Sequence, residues 1–204
     1  MISLDELRKD ALSEIFNIGV GRAAHALSQI LGDDITLTSP SVQLMPIAEV
    51  HSILASRNTT HYSAVSQHFS GPFQAEAVLV FPESNALLIV THMLGNHLAP
   101  DELAEYEQEV MCEVGNVILN ACVSILSDLF HVEFTGGLPN HQNHASDLFS
   151  VQLTGNRDHI LVLHVQMSIQ NQHIEGQLLY LLSVESLQLL IEYLDRYLKE
   201  QGLQ

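Results

Sequence analysis

The chain has 204 residues, 47% of them hydrophobic, enough to bury a core as one large domain or two small ones. With 24 acidic against 7 basic side chains its formal charge is −17, which excludes a nucleic-acid partner, because phosphate binding needs clustered Lys and Arg to displace counterions. The acidity is accounted for by solubility, and apolar runs such as Ala86 to Val90 and Gln177 to Leu182 are too short for a bilayer. Met1-Ile2-Ser3 leads into charged residues instead of a signal segment, so a soluble cytoplasmic protein is expected.

Ser3 and Glu6 read as a capping box opening a helix over residues 4 to 31, stopped by Gly32. Ile35 to Ile47 reads as a strand bent or interrupted at Pro40, followed by a short helical or irregular piece near Ala48 to Leu54. Thr59 to Phe69 and Phe73 to Phe81 form a hairpin through Ser70-Gly71-Pro72, and Glu83 to Leu94 is a short helix ended by Gly95-Asn96. The plan then repeats. Pro100-Asp101 opens a helix to about Phe130, and His131 to Leu138 is a strand approaching Pro139. Asn140 to Asp147 is expected to be a polar loop in which His141 and His144 face solvent. Asp158 to Ile169 and Ile174 to Leu182 form a second hairpin, and Val184 to Lys199 closes the chain as a helix. Cys112 and Cys122, ten residues apart on one helix, cannot bond to each other and read as small buried hydrophobes.

Polar residues carry the repeat. Asp10, Glu14, Asn17 and Pro40 recur as Glu109, Glu113, Asn116 and Pro139, each 99 residues later. No linker separates the halves, about 1–98 and 99–204, so the expected architecture is α/β (α+β): one pseudo-two-fold domain with a shared sheet and two long motif helices on one face. At about 100° per residue, Asp10, Glu14, Asn17, Gly21 and His25 fall on one stripe, opposite Leu12, Phe16, Ala23, Leu27 and Ile30. In the second helix Glu109, Glu113, Asn116, Asn120 and Ser124 form the equivalent stripe, opposite Met111, Gly115, Ile118, Cys122, Leu126 and Leu129. Ile18 and Val117 lie among the polar positions out of pattern, which suggests a protein-docking surface.

The available chemistry is narrow. Asparagine cannot act as a general base, but its amide both donates and accepts, and so can orient a water molecule. The adjacent glutamate can pair with an ammonium group. Neither half carries a nucleophile–histidine pair, a phosphate loop or a metal-ligand cluster. Gly19-Val20-Gly21 lies inside a helix and fits close packing better than phosphate binding. Positioning of this kind is useful where metal and electrophile already exist, as in phosphoryl transfer.

Asp10-Ala-Leu-Ser-Glu14-Ile-Phe-Asn17 with Pro40, and Glu113-Val-Gly-Asn116 with Pro139, resemble the doubled motif of the CheC, CheX and FliY chemotaxis phosphatases over essentially the whole chain. Departures stand at Glu109, where the family has Asp or Ser, and at Arg22, where a small or amide residue is usual. The resemblance implies hydrolysis of the aspartyl phosphate of the response regulator CheY. Asn17 and Asn116 would orient water, Glu14 and Glu113 would pair with the regulator's lysine, and Pro40 and Pro139 would shape the neighbouring strands. The chain would need no cofactor of its own, Mg²⁺ being held by the regulator. Two motifs fit CheC better than CheX, and no residues remain for the extra switch domain of FliY; a CheC type also implies the deamidase CheD as partner. Two alternatives stand beside this reading: a non-enzymatic adaptor binding phosphorylated CheY or CheD, and a symmetric dimer interface burying Ile18 and Val117.

Overall fold

The computed structural model describes residues 4–38, 41–46, 49, 61–95, 100–143, 157–170 and 172–203. Ser3, Pro40, residues 50–54 of the expected irregular piece, and His144 lie outside them. Helix α1 spans Glu6–Leu31, with strands β1 Ile35–Thr38, β2 Val42–Pro46, β3 Tyr62–Ser70 and β4 Gln74–Pro82 after it, then helix α2 Glu83–Leu94. The second half runs α3 Pro100–Phe130, β5 Thr135–Gly136, β6 Asn140–Asn143, β7 Arg157–Ile169, β8 Gln172–Ser183 and α4 Val184–Glu200. Local chemistry sets the ends. Asp5, not Ser3, caps α1, its carboxylate accepting from the Arg8 backbone N–H, and Gly32 closes that helix at φ 70° where a side chain would be strained.

All pairings are antiparallel, and the strands form one sheet in the order β1-β7-β8-β4-β3-β5, with β2 also on β7 and β6 also on β3. The first strands of each half therefore pair with the hairpin of the other half. The register repeats across the centre: Phe69–Gly136 and Ala64–Gln142 at one end correspond to Met167–Leu37 and Val162–Gln43 at the other. The second hairpin carries three further pairs, Arg157–Ser183 and His159–Leu182 at its open end and Ile169–Gln172 beside its turn, where Gln170 has φ 47°.

The helices share one face of the sheet and a single core in which Leu12, Phe16, Leu27, Met111, Ile118, Leu163 and Leu194 are buried. Strand alternation sends Val78, Val80, Val162 and Leu179 into a smaller cluster on the opposite face. Residues Glu102–Phe130 of α3 include a stretch that by length and apolarity alone could cross a membrane, and just over half of it is buried within the protein, as in a core helix. Gly19 explains the close fit of α1 to α3: an added Cβ would meet the Cys122 Cα at 3.0 Å. Gly21 would meet nothing.

Three expectations change. Asn140–Asn143 is a strand, because β3 offers an edge whose backbone groups these polar residues can pair, while the expected strand over 131–138 shrinks to Thr135–Gly136. Ile30, assigned to the core face, is exposed near the end of α1.

Candidate functional site

The second motif is assembled by α3 and the segment leading into β6. Glu109, Glu113 and Asn116 recur at helical spacing, and Pro139 reaches them from the opposite side, so the four line one open groove of about 470 Å³ with Glu105, Gln108 and Cys112. Both motif glutamates are exposed, whereas Asn116 is half-buried. Cys112 stitches the walls together: its thiol points to the Pro139 carbonyl at 3.9 Å, and burial raises its pKa, making it a packing group in place of a nucleophile. Cys122 lies in the core beside the Tyr180 hydroxyl, with burial pushing its thiol up to about 12.

Asn116 is held from behind. The Asn120 Nδ2 donates to the Asn116 Oδ1 at 2.7 Å and to its backbone carbonyl at 2.8 Å, and reaches the Gln67 Oε1 at 3.3 Å. Gln67 is a buried residue of β3 whose Nε2 donates to the Gly137 carbonyl at 2.8 Å. Stripe geometry includes Asn120 but gives it no role, and Gln67 escapes notice altogether. The available signal was strand alternation, since Gln67 shares the helix-facing side of β3 with the core residues Val65 and Phe69.

On α1, Asp10 and Glu14 are exposed and Asn17 is half-buried, on one face as expected. The Arg22 Nη1 pairs with the Asp128 Oδ2 of α3 at 2.6 Å, tying the two motif helices together. Of the two out-of-pattern aliphatics, Ile18 is 41% exposed, while Val117 is half-buried and packs on the core. Beside the second groove the open apolar residues are Leu138, 91% exposed and adjacent to Pro139, and Tyr106, 45% exposed on α3.

His141 does not face solvent. Pairing of β6 with β3 draws its side chain in to 3% exposure, its Nε2 2.7 Å from the Ser63 Oγ and 3.7 Å from the Glu107 Oε1, and burial lowers its pKa. The three residues do not make a catalytic triad, because hydroxyl and carboxylate approach the same ring nitrogen and Ser63 is buried.

Residues 7–44, which include α1 with Asp10, Glu14 and Asn17, match the CheC-like family. Over 129 residues the chain is 28% identical to the flagellar motor switch phosphatase FliY of Bacillus subtilis (strain 168), covering 62% of this chain and 33% of FliY. Over 142 residues it is 22% identical to the CheY-P phosphatase CheC of the same organism, covering 67% of this chain and 66% of CheC. In sequence the chain is thus similar to the CheC and FliY proteins, most locally at the first motif helix. It spans a third of that FliY and just under two thirds of that CheC. The family fold is shared with the crystal structure of Thermotoga maritima FliY, at a TM-score of 0.77 and 23% identity over 96% of this chain and 100% of that one. The same fold, at lower similarity, occurs in FliM from Helicobacter pylori, solved with FliG (TM-score 0.66, 14% identity, 93% and 100% covered), and in CheX from Borrelia burgdorferi, solved with CheY, BeF3 and Mg²⁺ (TM-score 0.50, 16%, 83% and 96%).

Proposed function

We propose that this protein is a cytoplasmic phosphatase of a CheY-type response regulator, hydrolysing the regulator's aspartyl phosphate in bacterial chemotaxis signalling. The observation that carries this reading is the convergence of Glu109, Glu113, Asn116 and Pro139 on one open groove, with an amide held in place at its wall. An amide does not ionise near neutral pH, so its contribution is orientation, the main demand of phosphoryl transfer. Asn116 holds a water against the phosphorus while Glu113 pairs with an ammonium group of the regulator. The water oxygen bonds to phosphorus as the bond to the aspartyl oxygen breaks; the regulator recovers its carboxylate, and both of the water's protons leave with inorganic phosphate as dihydrogen phosphate. Asn17 and Glu14 do the same work on α1. Mg²⁺ belongs to the regulator in this reading. Among the described residues no group of three His, Cys, Asp or Glu side chains is arranged to hold a metal, and the glutamates of the groove are exposed.

Support comes from two relatives named as phosphatases and from the CheX relative solved with CheY. The test follows decay of a phosphorylated regulator in Mg²⁺ with wild type, Asn17→Ala, Asn116→Ala and the double variant. Wild type should accelerate decay and the double variant should not; equal rates would sink the assignment. The FliM likeness favours one second reading, an adaptor, which would bind the regulator or the deamidase CheD without altering decay.

A further inference from the structure

We infer that Asn120 and Gln67 are positioning residues for Asn116, a relay of amides running from the buried sheet to the groove; the inference rests on the phosphatase reading of that groove. The direction of each hydrogen bond fixes the next. The Gln67 Nε2 is committed to the Gly137 carbonyl at 2.8 Å, which leaves its Oε1 to accept from Asn120 at 3.3 Å. Asn120 therefore presents Nδ2 to Asn116, its two hydrogens shared among Gln67, the Asn116 backbone carbonyl at 2.8 Å and the Asn116 Oδ1 at 2.7 Å. Turning the Asn116 amide over would set one NH2 against another, so the relay selects one of its two orientations. Asn116 keeps both Nδ2 hydrogens and one Oδ1 lone pair for a water in the groove.

The relay also sets the far wall. Gly137 precedes Leu138 and Pro139, so one buried glutamine holds both the amide and the segment facing it. An added Cβ at Gly136 would come within 3.0 Å of the Gln67 Nε2 and 3.2 Å of the Asn120 Oδ1, so this backbone leaves room for the two amides and little else. The same two residues are not repeated at the first site. Its registered equivalents are Gly21 for Asn120 and Val165 for Gln67, and neither offers a side-chain amide. The Gln67–Asn120 pair is therefore a feature of the second site's own residues.

The experiment uses the full chain carrying Asn17→Ala, so that turnover of a phosphorylated regulator reports on the second site. Asn120→Asp is close in shape but cannot donate to the Asn116 Oδ1. It should lower kcat about 10- to 30-fold, with KM within about 2-fold and little change in Tm, as expected for loss of orientation. That loss should vanish when Asn116 is already alanine. Gln67→Met should lower kcat in the same direction. A second readout needs no turnover: the side-chain amide signals of Asn116 in ¹⁵N-labelled protein, identified by their loss in Asn116→Ala, should move in both relay variants. Unchanged kcat in Asn120→Asp, or Asn116 signals that ignore Gln67→Met, would overturn the relay. A parent that is inactive while wild type is active would overturn the phosphatase reading of the second groove instead, leaving the amide signals to judge the relay by themselves.

Discussion

Replacing Gly115 by alanine sets two known magnitudes against each other. Alanine in a helix interior is favoured over glycine by about 1 kcal/mol, so α3 considered alone should gain stability. In the folded protein the added Cβ would stand 2.5 Å from the Val65 Cγ1 and 2.8 Å from the Val65 Cβ, where ordinary contact begins at 3.4 Å. A new Val65 rotamer moves the first atom but not the second, so helix and sheet must separate by several tenths of an ångström. Overpacking of a filled core costs about 1–3 kcal/mol, and the short contacts point to the upper end, for a net loss of about 2 kcal/mol. In a chain of this size that lowers Tm by about 4–8 °C. Asn116 is the next residue and would move with the helix. Since a misplacement of about 1 Å can cost roughly 100-fold in rate, turnover at the second site should fall well beyond the loss of folded protein. Thermal unfolding and regulator dephosphorylation would be measured on Gly115→Ala in wild type and in Val65→Ala, where the Cγ1 contact and a further one at 3.2 Å to Cγ2 are gone and the cost should shrink. A Tm at or above wild type, or an identical cost in both backgrounds, would show that α3 does not rest on Val65 as described.

Three further outcomes can be checked. Leu138→Ser should raise KM for the phosphorylated regulator about 5- to 10-fold with kcat unchanged, since it removes only contact area; a kcat defect would place Leu138 nearer the chemistry. Burial lowers the His141 pKa, so between its folded value and the ordinary 6.5 the unfolded chain binds more protons. The stability from keeping it neutral is full above 6.5 and is lost as pH falls through the lowered value, so Tm should depend less on pH below 6.5 in His141→Asn than in wild type. Arg22→Ala removes an ion pair whose side chains are both at least half exposed, and Tm should shift by less than about 2 °C; a larger drop would mean this pair clamps the motif helices.

Helices and hairpins were legible because their signals are local. The limits of α2 follow from Pro82 and Gly95, and the core faces of α1 and α3 follow from helical periodicity everywhere except Ile30. The motif residues were legible because four polar positions repeat in step. What composition concealed was pairing between distant segments. Asn140–Asn143 has the residues of a loop and becomes a strand only because β3 presents an edge; His141 is carried inward with it. Val117 looked free because helical spacing cannot show how far a neighbouring element overhangs, and the open apolar side chain beside the groove is Leu138, in a segment without periodicity. Gln67 and Asn120 meet across 53 positions of sequence, beyond the reach of any local pattern.

The exchange of strands between halves also governs how the chain can be made. β1 and β2, complete by Pro46, have their sheet partner in β7, which begins only at Arg157. At ribosomal rates of about 5–20 residues per second, these strands emerge roughly 6–20 seconds before the strand that receives them. The apolar side of α1 and the unpaired edges beside it must be shielded through that interval, and the sheet closes only once β7 has emerged. A chaperone requirement for the nascent chain, with little independent folding of an isolated first half, follows from this order of emergence.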